Sequence, residues 1–220
     1  MPADKPVPRP RDAASLVIYR RERGGVEVLV GRRSERARFK PGMYVFPGGG
    51  LERADHLVKT PSTLDAAIVH RLAVGGSAPR AAALALAAIR ETFEEVGVMV
   101  GEPGDIGRNA SPSWRAFRER GLAPPLQRLT YLGRAITPSI QPIRFHARFF
   151  AVDASVAHGA PRPSGELTDV QWVPLADTGR LGLMPVTLLM LDALSRQLDA
   201  NDHRAAFLSF QHGRRQVLWI

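Results

Sequence analysis

Cysteine is absent from the 220-residue chain. That removes disulfides, thiolate metal sites and cysteine nucleophiles, and leaves a reducing compartment open. Lysine is scarce as well: among the 30 basic residues only Lys5, Lys40 and Lys59 are lysines. No apolar run approaches the roughly 18 to 20 residues that a membrane-spanning helix needs, and the proline-rich, charged start from Met1 to Asp12 has no hydrophobic segment behind a basic region. Neither a span nor a signal peptide is expected, and a cytoplasmic setting without a membrane partner is the default. No internal repeat or low-complexity tract stands out, and the histidines at 56, 70, 146, 158, 203 and 212 show no ligand spacing.

What is present is an ordinary globular composition, 45% apolar, long enough for one substantial core. A single domain over 1–220 with an insertion is the expectation. The net charge of +9 favours phosphate-bearing partners in general. The basic residues are scattered from Arg9 to Arg215 rather than gathered into an aromatic-interleaved block, so no nucleic-acid partner is expected and a small phosphorylated substrate fits better.

Periodicity places the elements. Ser15 to Tyr19 and Val26 to Val30 flank Arg23, Gly24 and Gly25 and read as a hairpin. A basic stretch with Arg38 and Lys40 follows, then Tyr44 to Phe46, and then Pro47, Gly48, Gly49 and Gly50, expected as a loop. A helix is expected from Ser62 to Val74, capped by Ser62, with Leu64, Ile68 and Leu72 on one side. A second starts near Ser77 and Pro79, runs through alanines, carries RETFEEVGV and stops at Gly97. A third spans Pro112 to Arg120, with Ser111 as cap and Gly121 as stop. Strands follow at Leu129 to Ile136, at Ile143 to Val152 with apolar and polar residues alternating, and at Val170 to Val173. Pro185 to Leu198 reads as an amphipathic helix and Gln216 to Ile220 as a last strand, while the termini and Ala157 to Gly165 look mobile.

The chemistry converges on one helix. Glu91, Glu94 and Glu95 stand at i, i+3 and i+4, a spacing that puts the side chains about 5 to 6 Å apart on one face. Like charges so placed repel, and Arg90 alone cannot neutralise them, so the set calls for cations; magnesium or manganese suits an all-oxygen ligand group. Three glutamates on a helix are otherwise commonly a solvated face. The flanks decide between these readings. Upstream stands GGGLERAD, and the combination resembles the Nudix box, Gly-x5-Glu-x7-Arg-Glu-U-x-Glu-Glu-x-Gly-U with U apolar: Gly49 matches the first glycine, Asp55 takes the first glutamate position, and Arg90, Glu91, Glu94, Glu95, Gly97 and Val98 match the rest.

There are three departures. The 34 residues from His56 to Ile89 stand where the pattern has seven, Asp55 is one methylene shorter than glutamate, and Thr92 occupies an apolar position, tolerable if its hydroxyl bonds the preceding turn. An interrupted box resembles the branch that includes the peroxisomal coenzyme A diphosphatases, a likeness also carried by Thr137, Pro138, Arg144, Phe145, Arg148 to Phe150, Trp172, Pro185 and Thr187.

The resemblance implies an α/β/α sandwich with a mixed sheet and a helical insertion at about 56–86. It further implies magnesium or manganese ions held by Glu91, Glu94, Glu95 and the Gly49 carbonyl, with water attacking a diphosphate. Arg90 is expected to hold a box carboxylate, with Asp55 and Glu52 as possible partners, and Glu166 is the candidate base, though an ordinary exposed loop glutamate explains it nearly as well. Arg38, Lys40, Arg144 and Arg148 are substrate-phosphate candidates, the last two equally explained as a solvated strand face. Coenzyme A or acyl-coenzyme A is the expected substrate, with ADP-ribose, NADH or a nucleotide sugar as alternatives; a non-catalytic nucleotide sensor is the rival class, and a homodimer is open.

Overall fold

The structure, a computed structural model, describes residues 7–37 and 40–220, so Arg38 lies outside the described residues. The chain opens with β1 (Arg11–Glu22) and β2 (Gly25–Arg33), then β3 (Tyr44–Val45), β4 (Gly48–Gly50) and a 3-10 turn (Arg53–Leu57). Next come α1 (Ala66–Arg71), α2 (Ala78–Val96), β5 (Met99–Val100), β6 (Glu102–Pro103), α3 (Pro112–Glu119) and β7 (Leu122–Ala123). The remainder is β8 (Thr130–Ile136), β9 (Phe145–Asp153), β10 (Ala157–His158), β11 (Leu167–Pro174), α4 (Pro185–Ala200), β12 (Ala206–Gln211) and β13 (Arg214–Trp219).

The main sheet runs β11-β2-β1-β9-β8-β12-β13, with β3 added to β2 and β4 to β1. It is mixed, because β1 pairs parallel with β9 and β12 pairs parallel with β8, whereas the hairpins are antiparallel. Strand alternation sorts side chains to two cores. Ala14, Leu16 and Ile18 of β1 face the helix α2 through Leu84, Ala85, Ala88 and Ile89, and Val17 and Val28 face α4 through Leu189, Met190 and Leu194. Helices on both faces make the α/β/α sandwich, as expected. Among the described residues no helix is long and apolar enough to cross a membrane.

The helix α2 follows from its sequence. Ser77 accepts from the Arg80 amide, Pro79 sits in the first turn, and Gly97 takes a left-handed cap at φ 73°. Its alanines at 81, 83, 85, 87 and 88 are buried and let the backbone lie close over β1.

Several boundaries differ from expectation. The hairpin holds and extends: Tyr19 opposes Val28 and Glu22 opposes Gly25. The glycine run is no loop. Gly48, Gly49 and Gly50 pair with Ser15, Ala14 and Ala13 of β1, and a Cβ would not fit at Gly48, against Ser15, or at Gly49, against Glu91. The helix expected over Ser62 to Val74 shrinks to α1: Asp65 caps it by accepting from the Ala67 amide, and Ser62 instead accepts from the Leu126 amide at 3.0 Å. Leu64, Ile68 and Leu72 are nonetheless buried in the α2-side core.

Alternation along β9 also fails as a guide to exposure, since Phe145 is exposed and Arg148 is buried, both faces of the sheet being covered. The stretch 157–165 is tied down by β10 pairing to β5 and by the Arg162 amide on the Val96 carbonyl at 2.9 Å. The last strand pairs with β12, which periodicity had not indicated.

Candidate functional site

Arg90 organises the site. Its side chain is 1% exposed and reaches four groups from three segments. Nε and Nη2 grip the two Asp55 oxygens at 2.9 and 3.2 Å, Nη2 also donates to the Gly50 carbonyl at 2.8 Å, and Nη1 donates to Glu91 at 2.9 Å and Glu94 at 3.0 Å. Glu52 stands farther off at 3.8 Å. Burial works against the Arg90 charge, but Asp55, Glu91 and Glu94 more than offset it and raise its pKa.

Asp55 is wholly buried and accepts from two further donors, Trp114 Nε1 at 3.0 Å and the Glu52 amide at 2.9 Å. The shorter side chain at this box position therefore still forms a bidentate pair with Arg90. Thr92 donates to the Ala88 carbonyl at 2.8 Å, meeting the condition set by its apolar surroundings.

The carboxylates are close together and under strain. Glu95, 6% exposed, accepts from the Gly48 amide at 2.8 Å, while burial, with repulsion from Glu91 and Glu166, pushes its pKa up to about 8. Burial likewise pushes Glu91 up to about 7 despite Arg90, with Glu94 and Glu166 adding to the rise. Glu94 receives Ser113 Oγ on its other oxygen. Buried carboxylates whose charges oppose one another are a donor set suited to a hard divalent cation. Among the described residues no three acidic or histidine side chains stand in a ready-made cage, since Arg90, Gly48 and Ser113 now hold the glutamates.

The glycines explain themselves by contact. A Cβ on Gly49 would lie 2.4 Å from the Glu91 carboxylate, so only glycine lets that carboxylate sit against the strand. The register also shifts one expected role. Leu16 N bonds Pro47 O and Leu51 N bonds Asp12 O, so the intervening Ala14 and Gly49 are the pair whose amides and carbonyls face each other. The backbone groups turned towards α2 belong to Gly48, whose amide meets Glu95, and Gly50, whose carbonyl meets Arg90. Gly49, expected as a cation ligand through its carbonyl, thus has its backbone groups turned towards Ala14, while those of Gly48 lie on the Glu95 side.

Of the other candidates, Glu166 is exposed in the turn before β11, and its charge is felt at both Glu91 and Glu95. Lys40 is exposed at the far end of the loop after β2, at φ 49°. The two strand arginines are occupied elsewhere. Arg148 is 2% exposed and binds Asp12 and the carbonyls of Leu72 and His146, and Arg144 donates to the carbonyls of Thr137 and Pro8. Arg148 ties β1, β9 and the insertion together and is buried, whereas Arg144, just before β9, is half-buried.

Sequence reasoning missed Ser113 and Trp114, which the start of α3 delivers to Glu94 and Asp55, and Arg33, whose charge acts on Glu95. It also missed a cavity of about 200 Å³ at the C-terminal end of α2, lined by Phe93, Gly97, Arg120, His158 and Arg162. Local pattern does not link these residues, because they are brought together from α2, α3 and the segments around Arg33, Arg120, His158 and Arg162.

Over 84% of this chain and 91% of the other, the protein is 32% identical to a Nudix hydrolase from Alicyclobacillus acidocaldarius, with a TM-score of 0.62. The chain belongs to the Nudix hydrolases. No family model matches it. Among curated proteins, this Nudix hydrolase is 33% identical over 106 residues to the acyl-coenzyme A diphosphatase NUDT19 of Gallus gallus. That match covers 39% of this chain and only 28% of the relative's length. The fold alone is shared with the Nudix domain of Shewanella oneidensis NrtR, solved with ADP ribose, at 14% identity and a TM-score of 0.52 over 87% of this chain and 90% of that one. The Nudix box is therefore assembled here despite its interruption, and α2 is its helix.

Proposed function

We propose that the protein is a metal-dependent diphosphatase and that its substrate is coenzyme A or an acyl-coenzyme A. The observation that carries the catalytic reading is the Arg90 hub, which gathers Asp55, Gly50, Glu91 and Glu94 into one buried network across the long insertion. Glu91, Glu94 and Glu95 are the residues to hold magnesium or manganese. Such ions, when bound, neutralise the diphosphate and acidify the attacking water.

The chain's own groups do the rest. Arg90 keeps the carboxylates of Glu91 and Glu94 together on one side of α2, and Asp55 fixes Arg90. Glu166, at the rim, takes the proton from water as it attacks phosphorus, and the anhydride oxygen leaves with its electron pair. With coenzyme A the products are 3′,5′-ADP and a phosphopantetheine. A sensor that merely bound nucleotide would have no use for three crowded, mutually repelling glutamates on one helix face.

The substrate reading is supported by the likeness to the Gallus gallus diphosphatase and by Arg120 and Arg162 beside the α2 C-terminus, which suit an additional phosphate. The deciding experiment is a kcat/KM panel over coenzyme A, acyl-coenzyme A, ADP-ribose, NADH and nucleotide sugars with magnesium and manganese. A coenzyme A species is expected to lead; if ADP-ribose or a nucleotide sugar leads by tenfold, about 1.4 kcal/mol, the substrate is misassigned while the chemistry stands. Glu166→Gln is expected to slow turnover with little loss of metal affinity, and an unchanged pH–rate profile would move the base elsewhere.

A further inference from the structure

A second concentration of charge lies near the opposite end of α2, where Arg80 precedes Arg90 by ten residues, or about 15 Å along the axis. In the pairing of β1, β9 and β8, Asp12 opposes His146, Ala14 opposes Arg148, and Arg134 opposes Arg148. These side chains share the α2 face of the sheet, beneath the end of α1. Arg148 binds Asp12 and the Leu72 carbonyl, Arg80 binds the same Asp12, and Arg71 donates to the His203 carbonyl. Arg134 lies 3.5 Å over the Phe207 ring and meets His146 Nε2 at 3.3 Å. Among the described residues, the only carboxylate in ion pairs with this group is Asp12, against Arg80 and Arg148.

Two polar atoms here are orphaned. The Tyr131 hydroxyl and Arg134 Nε are buried with no hydrogen-bond partner among the described residues, and Tyr131 is 1% exposed. A buried guanidinium N–H without an acceptor and a buried hydroxyl without a partner each cost stability unless something supplies the missing acceptor. We propose that this cluster is a binding site for a phosphate-class oxyanion, with Arg134 and the Tyr131 hydroxyl as donors and Arg71 and Arg148 supplying the surrounding positive field.

The local electrostatics agree. Burial, then Arg148 and Arg134, press the His146 pKa down to about 4, and burial and Arg148 lower that of Arg134. Such shifts mark a positive potential that an anion would relieve. An acidic partner such as a carboxylate side chain would answer the charge equally, but the orphaned hydroxyl and guanidinium nitrogen call for an acceptor with several oxygens, which phosphate offers. The occupant is either free inorganic phosphate or the phosphomonoester of a nucleotide, and the measurement separates them.

The test is thermal unfolding and calorimetry of the full chain in EDTA, where the acidic cluster repels anions, with inorganic phosphate or AMP titrated to a few millimolar at constant ionic strength. Saturable stabilisation by phosphate is expected in the wild type, reduced at least by half in Arg134→Gln and in Tyr131→Phe. A response to both ligands assigns a phosphomonoester site, and a response to phosphate alone assigns a free-anion site. No saturable response to either overturns the proposal. So does a Tyr131→Phe protein that melts higher by the same amount with and without phosphate and responds as the wild type does, for then the hydroxyl is simply orphaned.

Discussion

At the scale of single residues, the site depends on one buried pair. Asp55 and Arg90 are both inaccessible, and the aspartate is fully used by Arg90, Trp114 and the Glu52 amide. Restoring the glutamate of the family pattern should therefore harm this protein: Asp55→Glu adds a methylene to a filled space and is expected to cost about 1–3 kcal/mol in urea unfolding. Equal or greater stability would mean that the pocket yields easily. Glu94 is the least buried of the three helix carboxylates and is already held by Arg90 and Ser113. Glu94→Gln should keep the fold and lower kcat about a hundredfold or more, as the loss of a cation ligand implies. Near-wild-type kcat at saturating magnesium would remove Glu94 from the ligand set.

At the scale of elements, the insertion is part of the fold's interior. Leu64, Ile68 and Leu72 join the core beside α2, Ser62 bonds Leu126, and the Leu72 carbonyl receives Arg148 from β9. The helix in this segment has only six residues and most of these contacts flank it, so packing and not helix propensity holds the segment in place. Leu72→Ala is expected to destabilise the protein by about 2–5 kcal/mol, because the site is fully buried and little can collapse into it. Chemical denaturation measures this directly, and a change below 1 kcal/mol would show that the insertion is only loosely applied. The C-terminal hairpin of β12 and β13 extends the same sheet beyond β8, so the last fifteen residues are architecture as well.

At the scale of the molecule, charge distribution links stability to pH. His146 has its pKa pressed to about 4 by burial and by Arg148 and Arg134, against an ordinary value of 6.5. Between those values the unfolded chain binds the proton and the folded chain does not, so stability contributed by the neutral ring is present above pH 6.5 and declines as the pH falls towards 4. The glutamates at 91 and 95 titrate with the opposite sign, so the prediction concerns a difference. In chloride buffer, wild type should lose more stability than His146→Gln on going from pH 7 to pH 4.5. Parallel stability curves would show that the ring is not shielded from protons.

The sequence by itself determined the elements whose signals are local. The hairpin around Gly24, the capped alanine helix ending at Gly97, and the i, i+3, i+4 glutamates with Arg90 are all readable because they depend on neighbours within a few positions. Tertiary structure decided whatever depends on distant partners. Gly48 to Gly50 became a strand only because β1 runs beside it, and that register turned the Gly48 amide towards Glu95 and the backbone of Gly49 towards Ala14. Arg148 reads as a solvated residue by alternation, yet both sheet faces are covered and it is buried against Asp12. Ser113 and Trp114 reach Glu94 and Asp55 from positions 19 and 59 residues away, a proximity that packing creates and that no local pattern encodes.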